Sequence, residues 1–125
     1  TDEQKEIYTM GYDQIQNNLE LLKPGTTFKE LTLNSKEYLK DEFRHYSVLF
    51  HGVGLCDEFP AIPFSWELNE NSFDGILKPG MVMCVETYVG RYDGGPGVKL
   101  EEQVLVTDNG YELLTNYPFE SELLL

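Results

Sequence analysis

The sequence is poor in basic residues and in long apolar runs. Nine lysines and arginines stand against 22 aspartates and glutamates, which gives a net charge of −13 at pH 7. Nucleic-acid binding requires cationic side chains that neutralise phosphates, and anionic membrane surfaces attract the same residues. No apolar stretch approaches the roughly 20 residues that cross a bilayer as a helix. We therefore expect neither nucleic acid nor a membrane as a partner.

Cysteine is also scarce. Only Cys56 and Cys84 are present, and they lie far apart in the sequence. Such a pair does not indicate a disulfide scaffold, so we expect reduced thiols in a reducing compartment, with the cytoplasm as the default. The 125 residues, of which 41% are hydrophobic and 13% aromatic, have the size and composition of one globular domain.

Two capping-box patterns precede helical periodicity in the first third of the chain. Thr1-Asp2-Glu3-Gln4 is followed by apolar residues at helical spacing up to Lys23-Pro24-Gly25, which predicts a helix of about six turns. The pattern from Thr27 to Glu30 precedes a second amphipathic stretch and predicts a helix over residues 27 to about 43. We therefore expect two helices before any strand.

Residues typical of β-strands dominate from Tyr46 onward. Three runs rich in β-branched and aromatic residues predict strands: YSVLF, MVMCVETYV and VKLEEQVLVT. Asp108-Asn109-Gly110 then indicates a hairpin turn before YELLT. Residues 56–80 are rich in turn formers and should be a long ordered connection. The predicted fold class is α+β, with two helices followed by a sheet.

Three potential metal ligands lie on the predicted strands. His51 ends the first strand, Glu86 lies in the second and Glu101 in the third, which together offer the nitrogen and oxygen donors that suit Mn, Fe, Co or Zn. A lone histidine is more often a core residue bonded to the backbone. A carboxylate buried at Glu86, however, requires a cation, a proton or several donors. Glu101 and Glu102 are adjacent, so only one of them can face inward.

Three segments carry a family resemblance. HGVGL, LKPGMVMCVETY and GVKLEEQVLVTDNGYELLT resemble, in order and spacing, the C-terminal signature blocks of the pita-bread metallopeptidases. That family includes methionine aminopeptidase, aminopeptidase P, prolidase and creatinase. The resemblance implies the C-terminal portion of a pita-bread catalytic domain with a mainly antiparallel, curved sheet. It also implies that His51, Glu86 and Glu101 are metal ligands, with Glu101 rather than Glu102 bridging two ions.

The resemblance also implies that part of the site is missing. Members of the family have two further ligands, both aspartates, upstream of a helix that resembles TDEQKEIY. We therefore expect residues 1–125 to be a single, truncated part of the domain that is inactive alone. The full-length parent would bind a pair of Mn, Co, Zn or Fe ions and a small-molecule or short peptide substrate. This chain would bind at most one ion, weakly. An unpaired sheet edge further favours a homodimer.

The segment Cys56-Asp57-Glu58 departs from the peptidase pattern. The peptidases have a histidine there that donates a hydrogen bond to the substrate, which an ionised carboxylate cannot do. HGVGL-x-DE-x-P instead resembles the dimethylsulfoniopropionate lyases of this fold, in which an aspartate at the position of Asp57 removes the proton that begins β-elimination. Asp57 and Glu58 are thus the catalytic candidates. A hydrolase is the first interpretation, and a lyase or a non-catalytic remnant or binding domain is the alternative.

A simpler interpretation of the same two residues is structural. Asp57 would cap a turn, and Glu58 would form an ion pair with Arg44 or Arg91.

Overall fold

The computed structural model describes residues 1–125. Two helices precede five strands: α1 Asp2–Leu19, α2 Phe28–Asn34, β1 Phe50–Gly52, β2 Ala61–Ile62, β3 Val82–Gly90, β4 Gly97–Thr107 and β5 Gly110–Leu113. The strands form one sheet in the order β2-β1-β3-β4-β5, and all neighbouring pairs are antiparallel. The predicted α+β class, with two helices before a mainly antiparallel sheet, is confirmed.

Helix α1 packs across one face of the sheet, against β3 and β4. Its N-terminus has the predicted capping box, in which the Thr1 side chain accepts a hydrogen bond from the backbone N–H of Gln4. Gly11 permits the close approach of helix and sheet, because a methyl group at this position would lie 3.1 Å from a methyl of Val98. The helix ends at Leu19 after 18 residues, about one turn earlier than the sequence predicts.

The second helix is much shorter than predicted. Its capping box forms, but α2 ends at Asn34 instead of continuing to about residue 43. Ser35 has an extended backbone, with ψ of 145°, and its hydroxyl donates to a carbonyl of the last helical turn. The next residue, Lys36, donates its backbone N–H to Asn18 Oδ1 of α1 at 2.9 Å. Hydrogen bonds to α1 thus replace those that would have continued the helix.

The first predicted strand is also shorter than its sequence pattern. YSVLF predicts a strand from residue 46, whereas β1 begins at Phe50 and has His51 in its middle. Ser47 has a φ of 66°, in the left-handed region, and this interrupts the extended backbone. A strand that began at Tyr46 could therefore not continue regularly into β1. The connection over residues 56–80 contains β2, which pairs with β1, and a 3₁₀ turn at Ser65–Glu67. The ordered connection predicted there thus includes one short strand and a 3₁₀ turn.

Side chains alternate between the two faces of the central strands. On the face toward α1, Val85 and Val104 join the hydrophobic core together with residues from both helices. The opposite face of β3 carries Cys84 and Glu86, which are both buried. Strands β4 and β5 are joined by the predicted Asp108-Asn109-Gly110 hairpin. The sheet therefore presents a polar row on the face remote from α1.

One buried carboxylate lies on the apolar face instead. Glu102 pairs with Val85 across β3 and β4, and it is 5% exposed. Its carboxylate accepts a hydrogen bond from the Thr115 hydroxyl. Burial raises the pKa of Glu102 above the ordinary glutamate value. The protonated form of Glu102 therefore stabilises the folded protein. This stabilisation is fully present at a pH below the pKa that Glu102 has in the unfolded chain, and it is lost as the pH rises through the pKa that Glu102 has in the folded chain.

We expect Glu102→Gln to stabilise the protein at neutral pH. The amide has the same shape, can still accept from Thr115, and carries no charge into the core. The melting temperature should rise by a few degrees at pH 7 and change little near pH 4, where Glu102 is already protonated. Thermal melts of both proteins at the two pH values measure this difference. A lower melting temperature for the variant at pH 7 would contradict it.

Candidate metal centre

Three adjacent strands bring the predicted ligands together. His51 lies on β1, Glu86 on β3 and Glu101 on β4. Glu86 is directly opposite Glu101, and His51 is opposite Cys84, two residues before Glu86. Residues opposite each other on one sheet face have Cβ atoms about 5 Å apart, so their side-chain ends can meet. We call His51, Glu86 and Glu101 the central cluster.

The distances within the central cluster match those of a metal site. His51 Nε2 lies 3.6 Å from Glu86 Oε2 and 3.4 Å from Glu101 Oε1. Donor atoms that bind one tetrahedral ion at about 2.1 Å are separated by about 3.4 Å. His51 Nε2 therefore lies at the separation from each carboxylate that a shared divalent ion requires.

The orientation of the His51 ring also suits a ligand. Its Nδ1 is 3.0 Å from the Gly52 carbonyl oxygen, which can only accept, so Nδ1 carries a proton. Nε2 is then the atom that faces the two carboxylates. At Nε2, either a bound cation or a second ring proton must separate the ring from the two carboxylates. A backbone carbonyl that fixes the tautomer in this way is typical of metal-binding histidines.

The burial of Glu86 is the strongest indication that a metal ion fits the central cluster. Its side chain is buried, with the residue 1% exposed, and its Oε1 has no hydrogen-bond partner. An ionised carboxylate is costly to bury unless it is paired, and one unpartnered oxygen leaves that cost incompletely offset. A divalent cation bound to this oxygen would offset it. The residues present therefore fit a metal ion.

Lys99 is a member of the site that the sequence analysis missed. Its Nζ lies 3.1 Å from Glu86 Oε2 and 3.0 Å from Glu101 Oε2. Burial alone would lower the pKa of Lys99, but hydrogen bonds to Glu101 and Glu86 and the charges of these residues raise it overall. Burial would likewise raise the pKa of Glu101, but the bonds from Lys99 and Cys84 and nearby positive charge hold it below its usual range. Lys99 therefore offsets one of the two negative charges of the acidic pair.

Cys84 is the second residue that was missed. Its sulfur, a nitrogen of His51 and an oxygen of Glu101 all lie within 4.8 Å of one another. Burial, a hydrogen bond with Glu101 and the negative charges of Glu101 and Glu86 raise the pKa of Cys84 to about 12. Alternation along a strand contained the signal for both residues: Cys84 precedes Glu86 by two positions, and Lys99 precedes Glu101 by two.

The two catalytic candidates lie outside the central cluster. Asp57 and Glu58 are exposed in the loop between β1 and β2, and their side chains form no hydrogen bond or ion pair. Asp57 has a φ of 58°, and its backbone N–H donates to the Gly54 carbonyl at 3.1 Å, so it does occupy a tight turn. The structure thus leaves both carboxylates free, without bringing them into contact with His51.

The alternative ion pairs for Glu58 do not form. Arg91 pairs with Glu3 and Glu6 of α1, at 3.5 and 2.9 Å. The Arg44 guanidinium instead lies over the Tyr88 ring, 5.9 Å from its centre. The expectation that Glu58 pairs with either arginine is therefore wrong.

We expect Lys99→Met to strengthen metal binding. The ammonium group and a metal ion compete for the same two carboxylates, and Lys99 is 43% exposed, so its group can also move into solvent. Removing the charge should tighten Mn²⁺ binding about tenfold, or about 1.4 kcal/mol, in a calorimetric titration. Lys78→Met, which removes an exposed lysine elsewhere, is the matched control. Unchanged or weaker binding in Lys99→Met would contradict this competition.

Known proteins of one metallopeptidase family are similar to this chain in sequence. A sequence model of the family described as Metallopeptidase family M24 matches residues 1–108. The chain is 45% identical over 122 residues to dimethylsulfoniopropionate lyase DddP of Roseovarius nubinhibens, covering 94% of this chain and 27% of that protein. It is 37% identical over 131 residues to a Xaa-Pro dipeptidase of Pyrococcus furiosus, covering 98% and 34%. The predicted resemblance to this family is confirmed.

Solved structures match the fold as well. The X-Pro aminopeptidase of Thermotoga maritima superposes with a TM-score of 0.75 at 29% identity, covering 96% of this chain and 33% of that one. Prolidase from Pyrococcus furiosus gives a TM-score of 0.73 at 34% identity, covering 93% and 33%. The chain thus spans about a third of the length of these relatives. None of its own helices combines the length and apolar character needed to cross a membrane.

Proposed function

Since the chain belongs to metallopeptidase family M24, we propose that it contributes a divalent-metal centre to a lyase that cleaves dimethylsulfoniopropionate. One observation carries the choice of a lyase: the loop after His51 offers the free carboxylates Asp57 and Glu58 and has no histidine. Sequence identities of 45% and 42% to two dimethylsulfoniopropionate lyases support it.

The central cluster would hold the ion through His51 Nε2 and the carboxylates of Glu86 and Glu101, with Lys99 moving aside. Mn, Fe, Co and Zn all suit this donor set. When bound, the ion would orient the substrate carboxylate and offset the negative charge that develops on it. Three ligands would hold one ion weakly in this chain, and a metal pair would require ligands from the rest of the parent protein.

Asp57 is the proposed general base. Its carboxylate would remove a proton from the carbon next to the substrate carboxylate, and the bond between the neighbouring carbon and sulfur would then break. The electron pair of that bond leaves with sulfur, giving dimethyl sulfide and acrylate, and the proton passes from Asp57 to solvent. A side chain that has no hydrogen-bond or ion-pair partner is free to accept this proton.

Peptide hydrolysis is the second candidate, because the chain is 37% identical to a Xaa-Pro dipeptidase and its fold matches a prolidase. The chain has only two histidines. His51 belongs to the central cluster, and the His45 ring packs against Phe64 and Trp66, 5.0 and 4.9 Å from their ring centres. These 125 residues therefore offer no second histidine that could donate to a peptide carbonyl at the position after His51, where the chain has Asp57 and Glu58, and this favours the lyase. A non-catalytic remnant is the remaining alternative.

One assay distinguishes the lyase activity from the peptidase activity. The polypeptide encoded by the whole reading frame is loaded with Mn²⁺, Fe²⁺, Co²⁺ or Zn²⁺ and supplied with dimethylsulfoniopropionate or an X-Pro dipeptide. We expect dimethyl sulfide in the headspace by gas chromatography and no release of free proline. The 125-residue chain alone should give neither product. Proline release without dimethyl sulfide would contradict the lyase proposal.

We also propose that the chain forms a homodimer. Strands β2 and β5 are free edges of the sheet. Near the β5 edge, Leu113 and Leu114 are half-exposed, and Leu55 is fully exposed in the loop after β1. Free edges and apolar side chains of this kind favour association with a second copy. Light scattering should give twice the monomer mass, whereas a monomer with a cooperative melt would contradict the proposal.

The state of the cysteines supports a reducing compartment. Cys56 is exposed in a loop and Cys84 is buried on β3, and neither forms a disulfide. We therefore infer that the protein works in a reducing compartment, with the cytoplasm as the default. The net charge of −13 favours a small-molecule substrate over nucleic acid as its partner.

A further inference from the structure

We propose that Cys84 is an additional metal ligand, so that the site combines nitrogen, sulfur and oxygen donors and prefers zinc or cobalt to manganese. This inference rests on the proposed function, because it concerns the same metal centre. It adds a donor that the family resemblance does not include, and with it a preference among metals.

The geometry of three strands supports the assignment. Cys84 is directly opposite His51 across β1 and β3. The donor atoms of His51, Cys84 and Glu101 lie within 4.8 Å of one another. In a zinc site with a sulfur at about 2.3 Å and a nitrogen at about 2.1 Å, these two atoms are about 3.6 Å apart. A closure of about 1 Å, within the reach of side-chain rotation, would bring the three donors onto one ion.

A second observation points to a cation at the same place. Glu86 is more than nine-tenths buried, and its Oε1 has no partner. Its other oxygen is 3.6 Å from His51 Nε2, the nitrogen that also lies 3.4 Å from Glu101 Oε1. The cluster thus contains a buried, incompletely paired carboxylate beside the three donors.

Sulfur changes the metal preference of the site. Thiolate ligands favour zinc and cobalt, whereas manganese and magnesium prefer oxygen donors. On coordination, a sulfur–metal bond forms and the thiol proton passes to solvent, so no oxidant or reductant is required. The other cysteine, Cys56, is exposed in the loop between β1 and β2 and lies outside this donor group. It therefore provides a matched control.

Cobalt spectroscopy tests the assignment directly. The 125-residue chain, its Cys84→Ser variant and its Cys56→Ser variant are titrated with Co²⁺ under reducing conditions. The wild type and Cys56→Ser should develop a thiolate-to-cobalt charge-transfer band in the near ultraviolet, and Cys84→Ser should not. Calorimetry should show zinc binding weakened by about 10- to 100-fold in Cys84→Ser. Manganese binding should be unchanged, because that ion gains little from sulfur.

X-ray absorption by zinc bound to the wild type tests the role of Cys84 even if the Cys84→Ser variant does not fold. Zinc X-ray absorption should show one sulfur neighbour at about 2.3 Å. Cobalt or zinc bound with only nitrogen and oxygen neighbours would overturn the role of Cys84 and leave the proposed metal centre intact. No binding of either ion would overturn both. If the band is lost in Cys56→Ser but kept in Cys84→Ser, the sulfur ligand is Cys56, and the inference is overturned.

Discussion

Glu86→Gln should weaken the binding of a divalent cation by at least about 100-fold, or about 2.7 kcal/mol. Glu86 is the most buried member of the central cluster, and its Oε1 has no other partner. The amide preserves its size but removes the negative charge that attracts the ion. Isothermal titration with Mn²⁺ and Zn²⁺ measures the loss, and far-ultraviolet circular dichroism shows whether the fold is retained.

Glu102→Gln is the matched control for this substitution. Glu102 is buried on the neighbouring strand but faces α1 instead of the central cluster. The same chemical change should therefore leave the metal affinity unaltered. Equal losses in the two variants would indicate a general electrostatic effect of net charge, and the assignment of Glu86 as a ligand would fail.

Asp57→Asn should lower the rate of dimethyl sulfide release by about 10³-fold in the polypeptide encoded by the whole reading frame, within the range for loss of a general base. The side chain is exposed and forms no hydrogen bond or ion pair, so the variant should retain its stability and its metal affinity. Asp41→Asn, at an exposed aspartate without a side-chain partner, is the control and should keep the full rate. Headspace gas chromatography provides the rates.

Glu58→Gln separates the two neighbouring candidates. If Asp57 is the base, this variant should lose much less activity than Asp57→Asn. A full rate in Asp57→Asn, or a loss of metal binding with the loss of rate, would contradict the role that we propose for Asp57.

Strand pattern and the family resemblance together predicted that His51, Glu86 and Glu101 lie near one another, and the structure brings these three side chains together. Glu86 and Glu101 lie in the two longest strands, which pair in register so that the two residues are directly opposite each other. Cys84 and Lys99 obey the same alternation and could have been predicted in the same way. The assignment of Glu101 rather than Glu102 as the ligand required the family resemblance. Glu102 is the residue that faces the core, and Glu101 faces the central cluster on the opposite side of the sheet.

Where prediction failed, tertiary contacts determined the local structure. The apolar spacing after residue 34 is helical, yet Lys36 forms its hydrogen bonds with α1, and Leu39 is exposed. Strand β2 has two residues and exists because β1 pairs with it, so no local pattern indicates it. Ser47, with its positive φ, is not a residue type that sequence rules associate with that conformation.

Anomalous diffraction from a crystal of this chain grown with Mn²⁺ tests the central claim most directly. The account predicts one strong peak about 2.0–2.3 Å from His51 Nε2 and from carboxylate oxygens of Glu86 and Glu101, with Lys99 Nζ displaced from its position between them. A peak elsewhere on the acidic surface, or the absence of any peak with Lys99 still bound to both carboxylates, would contradict it.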